Sequence, residues 1–166
     1  MNIFEFAMEK EKLSESYYRQ LAEKADHEGL KHICTMLADE ESKHYRTVQQ
    51  MSQKIPASLA QSQILGDAKK TFEKMRTSAE TFNFDVSELE LYQKARQIEQ
   101  QSREFYLEKA EEADDPCQQG IFKKLAEEEQ KHFVLLDNLC EFVARPQWFL
   151  ENAEMYRFDD YVDGTL

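Results

Sequence analysis

The chain repeats itself at a spacing of 88 residues (129 − 41), and the repeat carries charge where a helix would bury its face. Aligned without a gap, residues 7–45 and 95–133 agree at 15 of 39 positions. The matches include Glu11 with Glu99, Ser14 with Ser102, Tyr18 with Tyr106, Glu41 with Glu129 and His44 with His132. Glu41 and His44, like Glu129 and His132, stand at i and i+3, one turn apart on one helix face. A carboxylate and an imidazole so placed can grip one metal ion from a rigid rod. A lone Glu-x-x-His is weak, because Glu-rich helices produce it by chance. Two copies in an internal repeat, each one helix after a further seam glutamate, predict two metals.

Apolar residues at helical spacing run through these positions. Phe4, Ala7, Glu11, Ser14, Tyr18, Leu21 and Ala25 predict a first helix from about Asn2 to Asp26. After a turn near His27-Glu28-Gly29, the seam Ile33, Leu37, Glu41, His44, Val48, Met51 predicts a second, from about Leu30 to Lys54. Ser87 with Glu90 reads as a capping box opening a third helix with the seam Tyr92, Ala95, Glu99, Ser102, Tyr106, Ala110, Ala113. Asp115-Pro116 reads as the N-cap and first position of a fourth, carrying Phe122, Leu125, Glu129, His132, Leu136, Leu139 and Val143. The connection 55–86 is partly helical by its spacing of Ala68, Phe72, Met75, Ala79 and Phe82, with Gly66 as a break. Helices of ~25 residues span ~37 Å, so a crossover this long can return along the whole bundle and let helices two and three run parallel. The expected fold is all-α: a four-helix bundle of two αα-hairpins with one long crossover and a short packed helix within 147–156. It forms one domain, 1–166. Four Gly and three Pro fit long unbroken helices.

Four carboxylates on inward seams cannot stay bare, because an unpaired buried charge costs several kcal/mol at least. The seams offer no Lys or Arg at that depth. Two divalent cations balance the charge, and oxygen with imidazole ligation suits Fe, Mn or Zn. The formal net charge of −12 disfavours nucleic acid and anionic membranes. No apolar run reaches transmembrane length and no signal peptide is visible. Three scattered cysteines, Cys34, Cys117 and Cys140, argue for buried free thiols in a reducing cytoplasm rather than a disulfide framework. Tyr18 and Tyr106 lie two turns past Glu11 and Glu99, either as donors to a ligand carboxylate or as core aromatics with a polar tip. His27 and His32 read as surface residues, and Asp39-Glu40 and Glu127-Glu128 as solvated faces.

Over residues 2–144 the chain resembles the ferritin-like superfamily, and within it the rubrerythrin-like di-iron proteins. The resemblance rests on Glu11, Glu41-x-x-His44, Glu99 and Glu129-x-x-His132, with Tyr17-Tyr18 and Phe105-Tyr106 just downstream of the lone glutamates. It implies that Glu41 and Glu129 bridge two irons at the reacting centre. Glu11 with His44 would complete one iron, and Glu99 with His132 the other. The rubredoxin-like domain usual in rubrerythrins has no counterpart in these residues, so an external, rubredoxin-like electron donor is implied. Their extra glutamate, three residues after the third-helix ligand, is Ser102 here. The donor set then looks like the bacterioferritin pattern of four carboxylates and two histidines. The implied function is a cytoplasmic, homodimeric non-haem di-iron oxidoreductase. It would reduce hydrogen peroxide or dioxygen in protection against oxidative stress. The alternatives are a ferroxidase or iron-storage protein, and a structural module without turnover.

Overall fold

Six helices follow in order in this computed structural model, which describes residues 1–152: α1 (Ile3–Lys24), α2 (Glu28–Ser52), α3 (Ile64–Thr77), α4 (Val86–Glu112), α5 (Pro116–Ala144) and α6 (Pro146–Asn152). No strand occurs among the described residues, and the architecture is an all-α, ferritin-like bundle. Met155 and Tyr156, placed by their sequence in the packed tail, lie outside the described residues.

Local chemistry sets the helix starts. Asn2 caps α1 by accepting from the Glu5 amide at 2.9 Å, while Glu5 Oε2 accepts from the Asn2 amide at 3.1 Å. Such a cap is worth about 0.5–2 kcal/mol. α4 opens on the same reciprocal box, made by Asp85 and Glu88 rather than by the expected Ser87 and Glu90. Ser87 Oγ instead donates to Asp85 Oδ1 at 2.6 Å. A carboxylate gains more than a hydroxyl at the positive end of the helix dipole. Asp115 caps α5 with Pro116 at its first position, as expected. α2 begins two residues earlier than its sequence pattern suggested, taking Gly29 into its first turn. A Cβ there would lie 2.2 Å from Met75 Cε, so the missing side chain admits α3 against α2. Gly66 does not break the crossover; it sits inside the first turn of α3.

Short turns at 25–27 and 113–115 close two hairpins, α1–α2 and α4–α5. Tyr18 meets Glu99 and Tyr106 meets Glu11, so α1 and α4 run antiparallel. His44 meets Glu129 and His132 meets Glu41, so α2 and α5 do too. α2 and α4 are therefore parallel, as the long crossover allows.

The core divides into two apolar clusters. The larger holds Leu37, Phe72, Ala95, Leu136 and Phe142, with α3 and α6 closing that end of the bundle. Phe142 touches the rings of Phe72, Phe82, Phe84 and Phe149 at centroid distances of 5.3–5.9 Å. The smaller holds Ala7, Val48, Met51, Tyr106, Phe122 and Leu125. Between them, on the same seams, stand the charged residues. α6 buries Phe149 and Leu150, while Trp148 stays 45% exposed with the Arg145 guanidinium 4.2 Å over its ring.

Candidate metal centre

The apolar positions one turn before and after each charged residue decide the burial of the charge between them. On α2, Leu37 and Val48 flank Glu41 and His44; on α5, Leu125 and Leu136 flank Glu129 and His132. Packing those apolar residues inward carries the polar ones with them. Glu11, Glu41, Glu99 and Glu129 are each no more than 2% exposed, and both histidines are fully buried.

The six side chains meet. His44 Nδ1 lies 2.7 Å from Glu129 Oε1 and 3.7 Å from both Glu11 Oε2 and Glu41 Oε2. His132 Nδ1 lies 2.9 Å from Glu41 Oε1 and 3.4 Å from Glu99 Oε1. The two imidazoles stack with centroids 5.4 Å apart and planes 7° from parallel. Two sets of donor atoms each fall within 4.8 Å of one another: Glu11, Glu41, His44, Glu129, and Glu41, Glu99, Glu129, His132. Glu41 and Glu129 belong to both. The tyrosines cross between hairpins: Tyr18 donates to Glu99 Oε1 and Tyr106 to Glu11 Oε1, each at 2.5 Å. Burial and then the adjacent carboxylate charges push both phenols well above their ordinary range, so both remain donors.

A family model described as rubrerythrin matches residues 2–140. The chain belongs to the rubrerythrin family. Comparison with curated proteins and with solved structures returned no match.

Protonation in the metal-free centre follows from crowding. Burial, then the neighbouring carboxylates, raises Glu41 and Glu129 well above the ordinary carboxylate range. Burial would lower His44, but the adjacent charge of Glu11 outweighs it and raises the imidazole; the charge of Glu99 does the same for His132. Glu11 and Glu99 are lowered, because their histidine and hydrogen-bond partners outweigh burial. The neutral form is thus favoured at Glu41 and Glu129, and the charged form at Glu11, Glu99 and the two imidazoles.

These residues suit the iron that membership of this family suggests. Glu11 Oε2 and Glu99 Oε2 are buried without a hydrogen-bond partner. Such bare acceptors are costly in an apolar interior and are what a hard cation takes. Carboxylate oxygens with one imidazole per group fit a divalent transition metal.

Several sequence expectations change here. Glu128 is 3% exposed rather than on a solvated face, and Glu40 is half-buried. The signal was available: Glu40 and Glu128 match at the repeat offset and each stands four residues before a histidine. His27 is half-buried against Phe82 and meets Glu80 Oε2 at 3.1 Å, while His32 is exposed. Cys34 and Cys140 are buried, but Cys117 is exposed. Among the described residues no helix is long and apolar enough to cross a membrane.

Proposed function

We propose that the chain is a non-haem di-iron oxidoreductase that reduces hydrogen peroxide, taking its electrons from an external rubredoxin-like donor. The observation that carries this reading is the pair of donor sets sharing Glu41 and Glu129. Glu11 and His44 would hold one ion, Glu99 and His132 the other, and Glu41 and Glu129 would lie between them. When bound, two ferrous ions supply the two electrons that, with two protons, convert one peroxide to two waters.

The chain's own part is to hold the pair and keep the pocket dry. Tyr106 fixes the Glu11 oxygen that faces away from His44, and Tyr18 fixes the Glu99 oxygen that also faces His132. The apolar clusters on either side exclude bulk water, which strengthens every charge interaction inside. The one-domain organisation over 1–166, a homodimer and a cytoplasmic setting belong to the same proposal.

Ser102 favours a second reading. It is 6% exposed, one turn after Glu99, where the family's pattern carries a further glutamate. Without that carboxylate the donor set suits a ferroxidase or iron-storage role, with Fe(II) as substrate.

Stopped-flow mixing of the anaerobically reduced protein with either oxidant, following ferric absorption, tests the choice. Faster oxidation by peroxide is expected. Equal or faster oxidation by dioxygen overturns the peroxidase reading in favour of a ferroxidase. Ser102→Glu should raise the peroxide rate selectively; an unchanged ratio shows that the serine is not what limits it.

A further inference from the structure

Among the described residues the crossover covers one long side of the bundle and leaves the opposite side open. α3 packs against α2, α5 and α6, and Ser62 ties the crossover to α2 and α5. Where α1 meets α4, apolar side chains face solvent instead. Phe6 is 45% exposed, and Leu13, two turns on along the same face of α1, is 65% exposed. Rings from both helices line this groove. Phe6 and Phe105 hold their centroids 5.4 Å apart, and the Tyr17 hydroxyl donates to the Leu91 carbonyl oxygen at 2.7 Å.

Two of the rings lead inward. Phe105 lies 5.3 Å from the ring of Tyr106, which donates to Glu11. Tyr17 lies 6.3 Å from the ring of Tyr18, which donates to Glu99. Glu11 belongs to one donor set and Glu99 to the other. The groove therefore reaches each half of the centre through one further ring and one hydrogen bond. Electron tunnelling falls off steeply with distance and is carried better by bonds and packed rings than by gaps. A reductant seated here is coupled to both halves at once.

Three lysines reach over the same rings. Lys10 Nζ lies 4.8 Å from the Phe105 centroid and 5.6 Å from that of Phe6; Lys94 lies 5.8 Å from Tyr17 and Lys109 5.6 Å from Phe105. Lys109 also pairs with Glu112, while Lys10 and Lys94 have no ion pair among the described residues. The chain carries a net charge of −12, so most of its surface repels an acidic partner. A local set of cations around an apolar patch then selects where such a partner settles.

We propose that the α1–α4 groove is the docking surface for the external electron donor, and that this donor is a small acidic protein with an apolar patch around its redox group. Phe6 and Leu13 meet the patch; Lys10 and Lys94 meet its carboxylates. At each encounter the partner is oxidised by one electron and one ferric ion is reduced to ferrous. Two encounters restore the two electrons that, with two protons, convert one peroxide to two waters. The inference rests on the reading that electrons come from outside the chain.

The test titrates the full chain, labelled with ¹⁵N, with an acidic Zn(II)-substituted rubredoxin, which binds without passing electrons, and maps the amide shifts. They should centre on α1 and α4 around Phe6, Lys10 and Phe105. Lys10→Glu combined with Lys94→Glu should weaken binding by about tenfold at low salt, and the loss should shrink at ~0.15 M salt, where the Debye length is ~8 Å. Lys10→Gln with Lys94→Gln serves if the glutamate variant fails to fold. Lys123→Glu with Lys124→Glu, the same charge change on the exposed face of α5, should have a much smaller effect. In the iron-loaded protein, reduction by ferrous rubredoxin should fall in the groove variant relative to reduction by dithionite, which needs no docked protein. Shifts centred on another face overturn the inference, as do an unaltered affinity in the groove variant and an absence of binding at low salt. A dimer that Phe6→Ser dissociates would show the groove filled by a second copy and overturn it too. Binding in the groove by a protein whose reduced centre does not consume peroxide would uphold the docking surface while the peroxidase reading falls.

Discussion

Filling the centre with metal should expel protons, and their number follows from the contacts. Burial and neighbouring carboxylates raise Glu41 and Glu129, which favours their protonated forms. Glu11 and Glu99 outweigh the burial of His44 and His132, which favours the protonated imidazoles. Metal requires ionised carboxylates and a free imidazole lone pair. Two ions should therefore release about four protons near neutral pH, about two per ion. Each proton released steepens binding by a factor of ten per pH unit, or ~1.36 kcal/mol. The apparent affinity per ion should thus climb about a hundredfold per pH unit, from just above the ordinary carboxylate and imidazole values up to the raised ones. Adding Zn(II) or Mn(II) to weakly buffered protein with a pH indicator counts the protons directly. Calorimetry in two buffers of different ionisation enthalpy gives the same count independently. Release of fewer than about one proton per ion would show that the acids are already ionised without metal, and would refute the protonated forms those shifts favour.

Three further outcomes follow from the same geometry. His44→Ala and His132→Ala should each lower occupancy chiefly at the half of the centre that loses its imidazole, read by metal analysis and Co(II) spectra; equal loss from both halves would contradict separate donor sets. Metal-free stability, measured by urea unfolding against pH, should be greatest in mildly acidic solution. The raised histidines stabilise fully below 6.5 and lose this as pH rises through their folded values, the raised glutamates act in the same direction above 4.5, and the lowered Glu11 and Glu99 lose theirs as pH falls through their folded values below 4.5. A flat profile from pH 5 to 8 would count against it. Phe142→Ala, in the aromatic cluster away from the metal groups, should cost about 3–5 kcal/mol in chemical unfolding yet leave metal stoichiometry unchanged.

The bundle was legible in the sequence because its helices obey local rules. The seams at Leu37, Val48, Leu125 and Leu136 set both the period and the inward face, and Asp115-Pro116 marked a start that the structure keeps. Where tertiary packing intervenes, local reading fails. Gly29 looked like a turn residue, yet Met75 occupies the space its side chain would need, so it sits in a helix. Ser87 looked like a cap, yet Asp85 two residues earlier makes the stronger one. The convergence of the six polar side chains could be anticipated from the repeat alone. The crossing of Tyr18 to Glu99 and Tyr106 to Glu11 could not, because it depends on how one hairpin docks on the other. Glu40 and Glu128 read as solvated because an acidic pair on a Glu-rich helix usually is; their cover is Ser62, more than twenty residues away along the crossover from either helix face it joins.

On the proposed reading, that docking would let bound metal fasten the two hairpins together. The first hairpin supplies Glu11, Glu41 and His44, but the shortest contact of His44 is to Glu129 of the second. His132 likewise reaches back to Glu41. Each donor set therefore spans both hairpins, and neither hairpin contains a complete one. The seam lies between two apolar clusters. On the proposed two-ion reading, two dications displacing four protons would leave the net charge of the seam unchanged. A ligand bound only by the folded state stabilises it by about 4 kcal/mol at a thousandfold excess over Kd, and here the donor atoms come from α1, α2, α4 and α5. The crossover joins α2 and α5 independently, through the hydrogen bonds of Ser62 to Glu40 and Glu128.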